Sequence, residues 1–273
     1  MSNRPIGLLD SGVGGLTVLK AVKDRLPNES FVYIGDTKRC PYGNRTTEEI
    51  ITYTLEMVQF LMEQHVKMIV IACNTATAHA LDIVKDKVDV PVIGVVGPGS
   101  AAAAANSETK EIGVLATLST VESGFYEQSL LEKDQALKVK SLACPEFVDI
   151  VEENDYKSNR AKALVKDKLT GFSTPKMDTV ILGCTHFPLL APFIQEVLGD
   201  NVDLIDSGAL TSYEMERELE QNRLKAKETG HREIRIYTTG SREMFKAIVD
   251  NWLGSEELEI ESIVLEGLEK SDG

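Results

Sequence analysis

The sequence predicts an α/β protein that contains two similar parallel-sheet domains. Short apolar segments rich in valine and isoleucine alternate with amphipathic helical segments, and the turns between them are short. Alternation of this kind is typical of parallel sheets whose faces are covered by helices. The pattern also recurs within the chain, which indicates that one α/β unit is present twice.

The internal repeat covers roughly residues 6–98 and residues 112–207. Three pairs of apolar segments recur in it at nearly the same spacing, which is difficult to explain by chance. The pairs are Ile6 with Ile112, 106 residues apart, Cys73 with Cys184, 111 residues apart, and the strand near Val92 with residues 202–206 at a similar spacing.

The first unit is expected to contain four strands and three helices in alternation. A glycine-rich turn at residues 11–17 separates the first strand from the first helix. Thr46 and Glu49 form a capping box for the second helix. Asn74 or Thr75 is expected to cap the third helix. The predicted strands are residues 6–10, 31–36, 67–72 and 90–96, and the helices end near residues 26, 64 and 81.

A Gly-Pro-Gly-Ser segment at residues 97–100 is interpreted as a break where the chain crosses into the second domain. The elements after the second unit are too few for a third domain and are expected to complete the first sheet. The predicted domains are therefore residues 1–97 plus 208–273, and residues 98–207. The later predicted elements are strands at 112–115, 179–183, 202–206, 234–238 and within 258–265, and helices at 211–226 and from Ser241 to near Gly254.

The bulk properties of the sequence favour a cytoplasmic protein. A formal net charge of −14 over 273 residues argues against a nucleic-acid partner, because phosphate binding needs clustered Lys and Arg. No apolar run reaches the roughly 18 residues of a membrane span, and residues 1–20 do not resemble a signal peptide. In the cytoplasm the four cysteines are expected to be thiols. The sequence leaves the oligomeric state open, with a homodimer as one alternative.

Cys73 and Cys184 each follow an apolar strand and precede a polar pair and a helix start. The carboxyl ends of parallel strands are where α/β sheets bind ligands, so both thiols are candidate catalytic groups. A helix N-terminus beside the sulfur is expected to lower the pKa of Cys73. The alternatives are buried structural thiols, a metal site with His186, and a reversible disulfide.

Two thiols on two halves of a repeated protein match the requirement of racemisation at an α-carbon. A proton leaves one face of the substrate and another arrives on the opposite face, so two acid/base groups must flank the carbon. One thiolate and one thiol that exchange roles with direction meet this requirement.

Asp10 and His186 are further candidates for proton handling. Asp10 ends the first strand, where it either caps the following turn or lies beside Cys73. His186 lies two residues after Cys184, and its ordinary pKa of about 6.5 suits proton transfer. The glycine turn with Asp36 also allows a nicotinamide-binding interpretation, but Thr17 stands where the third glycine belongs.

The motifs around these residues resemble those of the glutamate racemases, within the aspartate/glutamate racemase superfamily. The resemblance covers nearly the whole chain and implies two α/β domains with the active site between them. It also implies glutamate as the substrate, no pyridoxal phosphate or metal cofactor, and a supply of D-glutamate for peptidoglycan. The segments that carry it are Asp10-Ser11-Gly12-Val-Gly-Gly-Leu-Thr, Cys40-Pro41-Tyr42-Gly43, Ala72-Cys73-Asn74-Thr75-Ala and Gly183-Cys184-Thr185-His186-Phe-Pro188.

The resemblance also assigns roles to residues. Cys73 and Cys184 would be the acid/base pair, assisted by Asp10, Glu152 and His186. Near Glu152 the chain departs from the family, which often has proline where this sequence has Asp149. The residues that would contact glutamate are Asp10, Ser11, Tyr42, Gly43, Asn74, Thr75, Thr185 and His186.

Other activities remain as alternatives to glutamate racemisation. Two thiols define the reaction but not the side-chain pocket, so a racemase of aspartate or another amino acid is the first alternative. A thiol redox protein and a non-enzymatic amino-acid-binding module are the others. The chain begins almost directly at its first strand, without the N-terminal extension of activator-dependent relatives, so activity without a cell-wall precursor is expected.

Overall fold

The computed structural model describes residues 1–227, 232–253 and 258–265, and it contains two parallel sheets joined by helices. The strands are β1 Ile6–Asp10, β2 Phe31–Gly35, β3 Met68–Ile71, β4 Val92–Gly94, β5 Glu111–Ala116, β6 Lys138–Ala143, β7 Thr179–Gly183, β8 Asp203–Asp206, β9 Ile234–Thr238 and β10 Glu259–Ser262. The helices are α1 Leu16–Arg25, α2 Thr47–Glu63, α3 Asn74–Lys85, α4 Val96–Asn106, α5 Leu118–Glu122, α6 Phe125–Leu131, α7 Pro145–Glu152, α8 Asn159–Leu169, α9 Ala191–Leu198, α10 Ser207–Gln221 and α11 Arg242–Leu253, with short 3-10 helices at Tyr42–Asn44 and Phe187–Leu190.

The two sheets share one strand topology. The first has the order β10-β9-β2-β1-β3-β4 and the second the order β6-β5-β7-β8, so β2-β1-β3-β4 and β6-β5-β7-β8 correspond strand by strand. All pairings are parallel. The predicted pair of pseudo-symmetric α/β sheets is thereby confirmed. The shared order places Cys73, after β3, and Cys184, after β7, beside the central strand of their respective sheets.

The C-terminal strands β9 and β10 extend the first sheet at its β2 edge, as the sequence predicts. Strands of the first sheet come from residues 6–94 and 234–262, and strands of the second from residues 111–206. The domain boundaries at residues 97/98 and 207/208 stay a prediction.

The central strands are buried on both faces. All five residues of β1, β2 and β7 are buried, because helices cover both sides of each sheet. Burial of each large aliphatic side chain contributes about 1.5 to 3 kcal/mol relative to exposure. These strands are therefore a rigid base for the loops at their carboxyl ends.

Three expectations about where helices begin or are interrupted are wrong. Helix α3 is capped by the sulfur of Cys73, which accepts the N–H of Ala76, rather than by Asn74 or Thr75. Residues 97–100 are part of a helix, because α4 begins at Val96. Pro98 falls in the first turn of α4, where backbone N–H groups have no intrahelical partner and the missing N–H of proline costs little. Helix α10 starts directly after β8 with Asp206 as its cap, not at residue 211. The predicted end of α11 near residue 254 lies outside the described residues.

At the opposite end of the first sheet, Lys67 is fully buried. Its Nζ donates to Glu29 Oε2 at 2.5 Å, to the Ser2 carbonyl at 2.6 Å and to the Leu224 carbonyl at 2.7 Å. This ammonium group therefore ties the N-terminus and the segment after α10 to the start of β3.

Candidate active site

The two candidate thiols lie at equivalent strand ends and are both buried. Cys73 is 5% exposed, and its Sγ accepts the N–H of Ala76 at 3.4 Å and donates to Ser11 Oγ at 3.5 Å. Cys184 is 6% exposed, and its Sγ lies 3.5 Å from His186 Nδ1. A charge on either sulfur would be felt at the other, because Cys184 contributes to raising the pKa of Cys73.

The turn after β1 packs directly on the loop after β7, so residues of both sheets meet at one place. Thr17 Oγ1 lies within hydrogen-bond distance of the Thr185 carbonyl, at 3.2 Å, and Thr185 Oγ1 donates to Asp10 Oδ1 at 3.4 Å. A Cβ atom at Gly14 would lie 2.2 Å from Thr185 Oγ1 and 2.7 Å from His186 Nδ1. Only glycine therefore allows this approach.

A row of proton-binding groups leads away from Cys184. His186 Nε2 lies 2.6 Å from Glu152 Oε1, and the Cys40 thiol donates to the same oxygen at 3.6 Å. Burial opposes the charged form of His186, but its contacts with Cys184 and Glu152 outweigh burial and raise its pKa well above the ordinary value. Burial also opposes the charge of Glu152, whose pKa is nevertheless lowered by the hydrogen bond from His186.

The surroundings of Cys73 are different and correct one expectation from the sequence. Burial and the nearby Asp10 carboxylate raise the pKa of Cys73 to about 12, although its hydrogen bonds with Ser11 and with the Ala76 N–H oppose this. The expected lowering by the helix terminus is therefore wrong, because burial is the larger effect. Burial also raises the pKa of Asp10, against the charge of His186. Asp10 caps the following turn as well, since its Oδ2 accepts the N–H of Gly12 at 2.9 Å.

Tyr42 and Gly43 lie on the loop that packs against the second domain. The Tyr42 hydroxyl donates to Asp36 Oδ2 at 2.5 Å, so this side chain positions the loop rather than facing a ligand. Arg39 and Thr239 also donate to the Asp36 carboxylate, at 2.6 Å and 2.8 Å. A Cβ atom at Gly43 would lie 2.8 Å from Thr117 Cβ, so the backbone of the loop approaches the second domain closely.

Asn74 and Thr75, the first residues of α3, form hydrogen bonds with hydroxyl groups of the second domain. The Thr75, Thr117 and Thr120 hydroxyls lie 2.9 to 3.1 Å from one another and form a buried ring of three. Asn74 Oδ1 accepts a hydrogen bond from the Tyr126 hydroxyl at 2.6 Å.

Comparison with known proteins places this arrangement in a family. The sequence model of the Asp/Glu/hydantoin racemases matches residues 16–212. The chain belongs to this family. A glutamate racemase of Lactococcus lactis subsp. cremoris is 49% identical over 270 residues, which cover 99% of each chain.

Solved structures of racemases have the same fold as this one. A glutamate racemase isoform from Bacillus anthracis aligns with a TM-score of 0.93 at 40% identity, covering 97% of this chain and 99% of its own. The glutamate racemase of Francisella tularensis, solved with D-glutamate, aligns with a TM-score of 0.90 at 34% identity, covering 98% and 100%.

Several residues of the racemase site were not predicted from the sequence. Thr117 had a usable signal, because it follows β5 as Ser11 follows β1, at the same offset of 106 residues as Ile112 from Ile6. Asp36 was noted only as the acid of a nicotinamide-binding interpretation. Thr120 and Tyr126 had no such signal, since they enter the site through tertiary contacts.

A metal site, a membrane-spanning helix and a disulfide are all absent from the described part of the racemase chain. Within residues 1–227, 232–253 and 258–265, no group of three or more His, Cys, Asp or Glu side chains is arranged to hold a metal ion. In the same ranges, every helix is too short or too polar to cross a membrane. All four cysteines fall in these ranges and are free thiols.

Proposed function

We propose that this racemase interconverts L- and D-glutamate by a two-thiol mechanism without a cofactor, and that its D-glutamate serves peptidoglycan synthesis. One observation carries the proposal: two buried cysteines occupy equivalent strand ends of two repeated sheets, with Asp10 on one side and His186 on the other. The substrate is supported by the relative from Lactococcus lactis, named glutamate racemase, and by the structure from Francisella tularensis, which holds D-glutamate.

L-glutamate would lose its α-proton to Cys184. The adjacent His186 supports this role, because an imidazolium next to the sulfur neutralises the charge of a thiolate. Glu152 holds the imidazolium through its 2.6 Å contact. Cys73, whose pKa is raised to about 12, is a thiol at neutral pH and is ready to protonate the opposite face.

D-glutamate would react in the reverse sense, with Cys73 as the base. The thiol proton of Cys73 must first move to another group, and Asp10 is the proposed acceptor. Burial raises the pKa of Asp10 from the usual carboxyl range and so makes it a better proton acceptor. His186 gives its proton to Cys184, 3.5 Å away, so the substrate then meets a thiolate at Cys73 and a thiol at Cys184.

The remaining proposed contacts hold the substrate between the two sulfurs. Ser11, Thr75, Thr185 and His186 offer side-chain groups, and Tyr42 and Gly43 offer backbone N–H groups. Asn74 offers an amide. The hydroxyl of Tyr42 is already engaged by Asp36, so its contribution is through the backbone.

Chiral analysis of glutamate and aspartate incubated separately with the purified protein tests the activity. We expect each glutamate enantiomer to approach an equal mixture, with the rate unchanged after dialysis against a chelator and a carbonyl-trapping reagent. Racemisation of aspartate but not of glutamate would reject glutamate as the substrate. Activity that depends on added metal or pyridoxal phosphate would reject the mechanism.

The cellular role has a separate test. Expression of the chain in a bacterium that requires external D-glutamate should restore growth without it. A Cys73→Ala, Cys184→Ala double variant is the matched control and should not restore growth. Failure of the intact enzyme to replace the supplement, despite racemisation in vitro, would reject the peptidoglycan role alone.

A further inference from the structure

The side-chain amide of Asn74 is only half satisfied. Its Oδ1 accepts from the Tyr126 hydroxyl at 2.6 Å and lies 3.3 Å from Ser207 Oγ. Its Nδ2 is buried and has no hydrogen-bond partner. Asn74 itself is 2% exposed, and Tyr126 and Ser207 are also buried. Buried polar groups are rarely left without a partner, so this unpaired donor beside Cys73 calls for a partner that arrives later.

Tyr126 is the stronger of the two groups that hold this amide. The Ser207 hydroxyl has one hydrogen and several acceptors within reach, namely Asn74 Oδ1 at 3.3 Å, the Leu182 carbonyl at 3.2 Å and the Tyr126 hydroxyl. The Tyr126 hydroxyl makes a shorter bond with the oxygen of the amide. A Cβ atom at Gly183 would lie 2.9 Å from Tyr126 Cε2, so the tyrosine ring rests on the glycine that precedes Cys184.

The opposite rotation of the amide would suit an anionic substrate poorly. It would place the amide oxygen, an acceptor without a donor, where Nδ2 now lies. Next to a carboxylate that oxygen would be repelled, whereas Nδ2 forms a charge-assisted hydrogen bond. The rotation with Oδ1 on Tyr126 is therefore the one that can bind a carboxylate.

We infer that Tyr126 is a positioning residue, which fixes the Asn74 amide so that Nδ2 donates to a carboxylate of the substrate. This rests on the proposed function, because the ligand is taken to be an acidic amino acid. Tyr126 belongs to the second domain and Asn74 to the first. The bond between them therefore makes substrate binding depend on contact between the domains.

A double-mutant cycle on the full-length enzyme tests the inference. Tyr126→Phe removes only the hydroxyl and should lower kcat/KM for glutamate about tenfold. In an Asn74→Ala background the same change should cost less than about twofold, because the amide it orients is gone. The Kd of D-glutamate, measured calorimetrically on the same four proteins, should follow the same pattern and serves if a variant is too slow to assay.

Controls separate positioning from folding. Tyr213→Phe removes the hydroxyl of an exposed tyrosine outside the site and should leave kcat/KM unchanged. Equal losses from Tyr126→Phe in both backgrounds, no loss in the wild-type background, or an Asn74→Ala variant with normal affinity would each overturn the inference. A wild-type protein that does not racemise glutamate would instead overturn the proposed function.

Discussion

The Nε2 atom of His186 lies 2.6 Å from Oε1 of Glu152, and the other ring nitrogen faces the Cys184 sulfur at 3.5 Å. The imidazole thus links a thiol of the site to a carboxylate farther from it. Glu152 is the last residue of α7. The end of this helix therefore holds the carboxylate against His186.

Glu152→Gln should lower kcat/KM about a hundredfold, the lower end of what a positioned proton-transfer group contributes. The carboxylate helps to raise the pKa of His186, so the variant should have a lower imidazole pKa. The imidazolium exists only below that pKa. As the pH is raised, kcat/KM of the variant should therefore begin to fall at a lower pH than kcat/KM of the wild type. The pH profile of kcat/KM measures the shift.

Glu153→Gln is the matched control, because Glu153 is the adjacent residue and pairs with the exposed Arg160. It should leave both the rate and the profile unchanged. L- and D-glutamate have equal free energies, so kcat/KM must be the same in both directions for every variant. If Glu152→Gln lowered kcat/KM but did not shift the fall of kcat/KM at high pH, the proposed role of the His186 imidazolium would be contradicted.

Gly14→Ala should reduce activity on the order of a hundredfold, as expected when reacting groups are misplaced by about 1 Å. The new Cβ would lie 2.2 Å from Thr185 Oγ1, so either the turn after β1 or the loop after β7 must move. Gly97→Ala is the control, since a Cβ there meets no atom within 4 Å. Assays and thermal unfolding of both variants check this, and full activity of Gly14→Ala would show that the two loops need not touch.

The ends of strands could be predicted from the sequence because they coincide with the ends of apolar runs. Contacts between distant segments could not be predicted, because they depend on how the chain packs. Strand β6 was missed, because it is an edge strand whose lysines and serine are partly exposed and dilute the apolar signal. The predicted direction of the pKa shift of Cys73 was wrong for a related reason. A helix terminus is visible in a sequence, but the burial that outweighs it depends on how the domains pack.

The same limit applies to the site. The candidate catalytic residues were named from their motifs, and Glu152 through family resemblance, and their roles stay a prediction. Tyr126, by contrast, contacts the site through a hydrogen bond to Asn74, which lies 52 residues away in the sequence. No local pattern marks such a partner.

Lys67→Met should lower the free energy of unfolding by about 3 to 5 kcal/mol, because it removes the ammonium group that pairs with the buried Glu29 carboxylate and leaves that charge with the N–H of Ala226. Lys162→Met is the control, since Lys162 pairs with Glu196 at the surface and should cost at most about 1 kcal/mol. Chemical denaturation of both variants gives the comparison. Equal small losses would mean that Glu29 finds other partners or binds a proton at little cost.

Replacement of either site thiol should abolish racemisation, because no group then remains to protonate the opposite face of the carbon. The surviving thiol can still remove and return a proton on its own side. In deuterated water, Cys73→Ala should exchange at most the α-proton of L-glutamate, and Cys184→Ala at most that of D-glutamate, in both cases without inversion. NMR of the α-proton with chiral analysis of the product measures both results.

Cys144→Ala is the matched control for these variants, because Cys144 is a buried thiol whose sulfur lies 3.7 Å from the Leu142 carbonyl. It should racemise normally, which shows that loss of a buried sulfur alone is not the cause. Circular dichroism verifies that each variant folds. The side-specific exchange distinguishes two acid/base thiols from two merely structural ones, because a structural defect would slow exchange of both enantiomers alike. Exchange of both enantiomers by a single variant, or near-normal racemisation by either, would refute the assignment of one sulfur to each face.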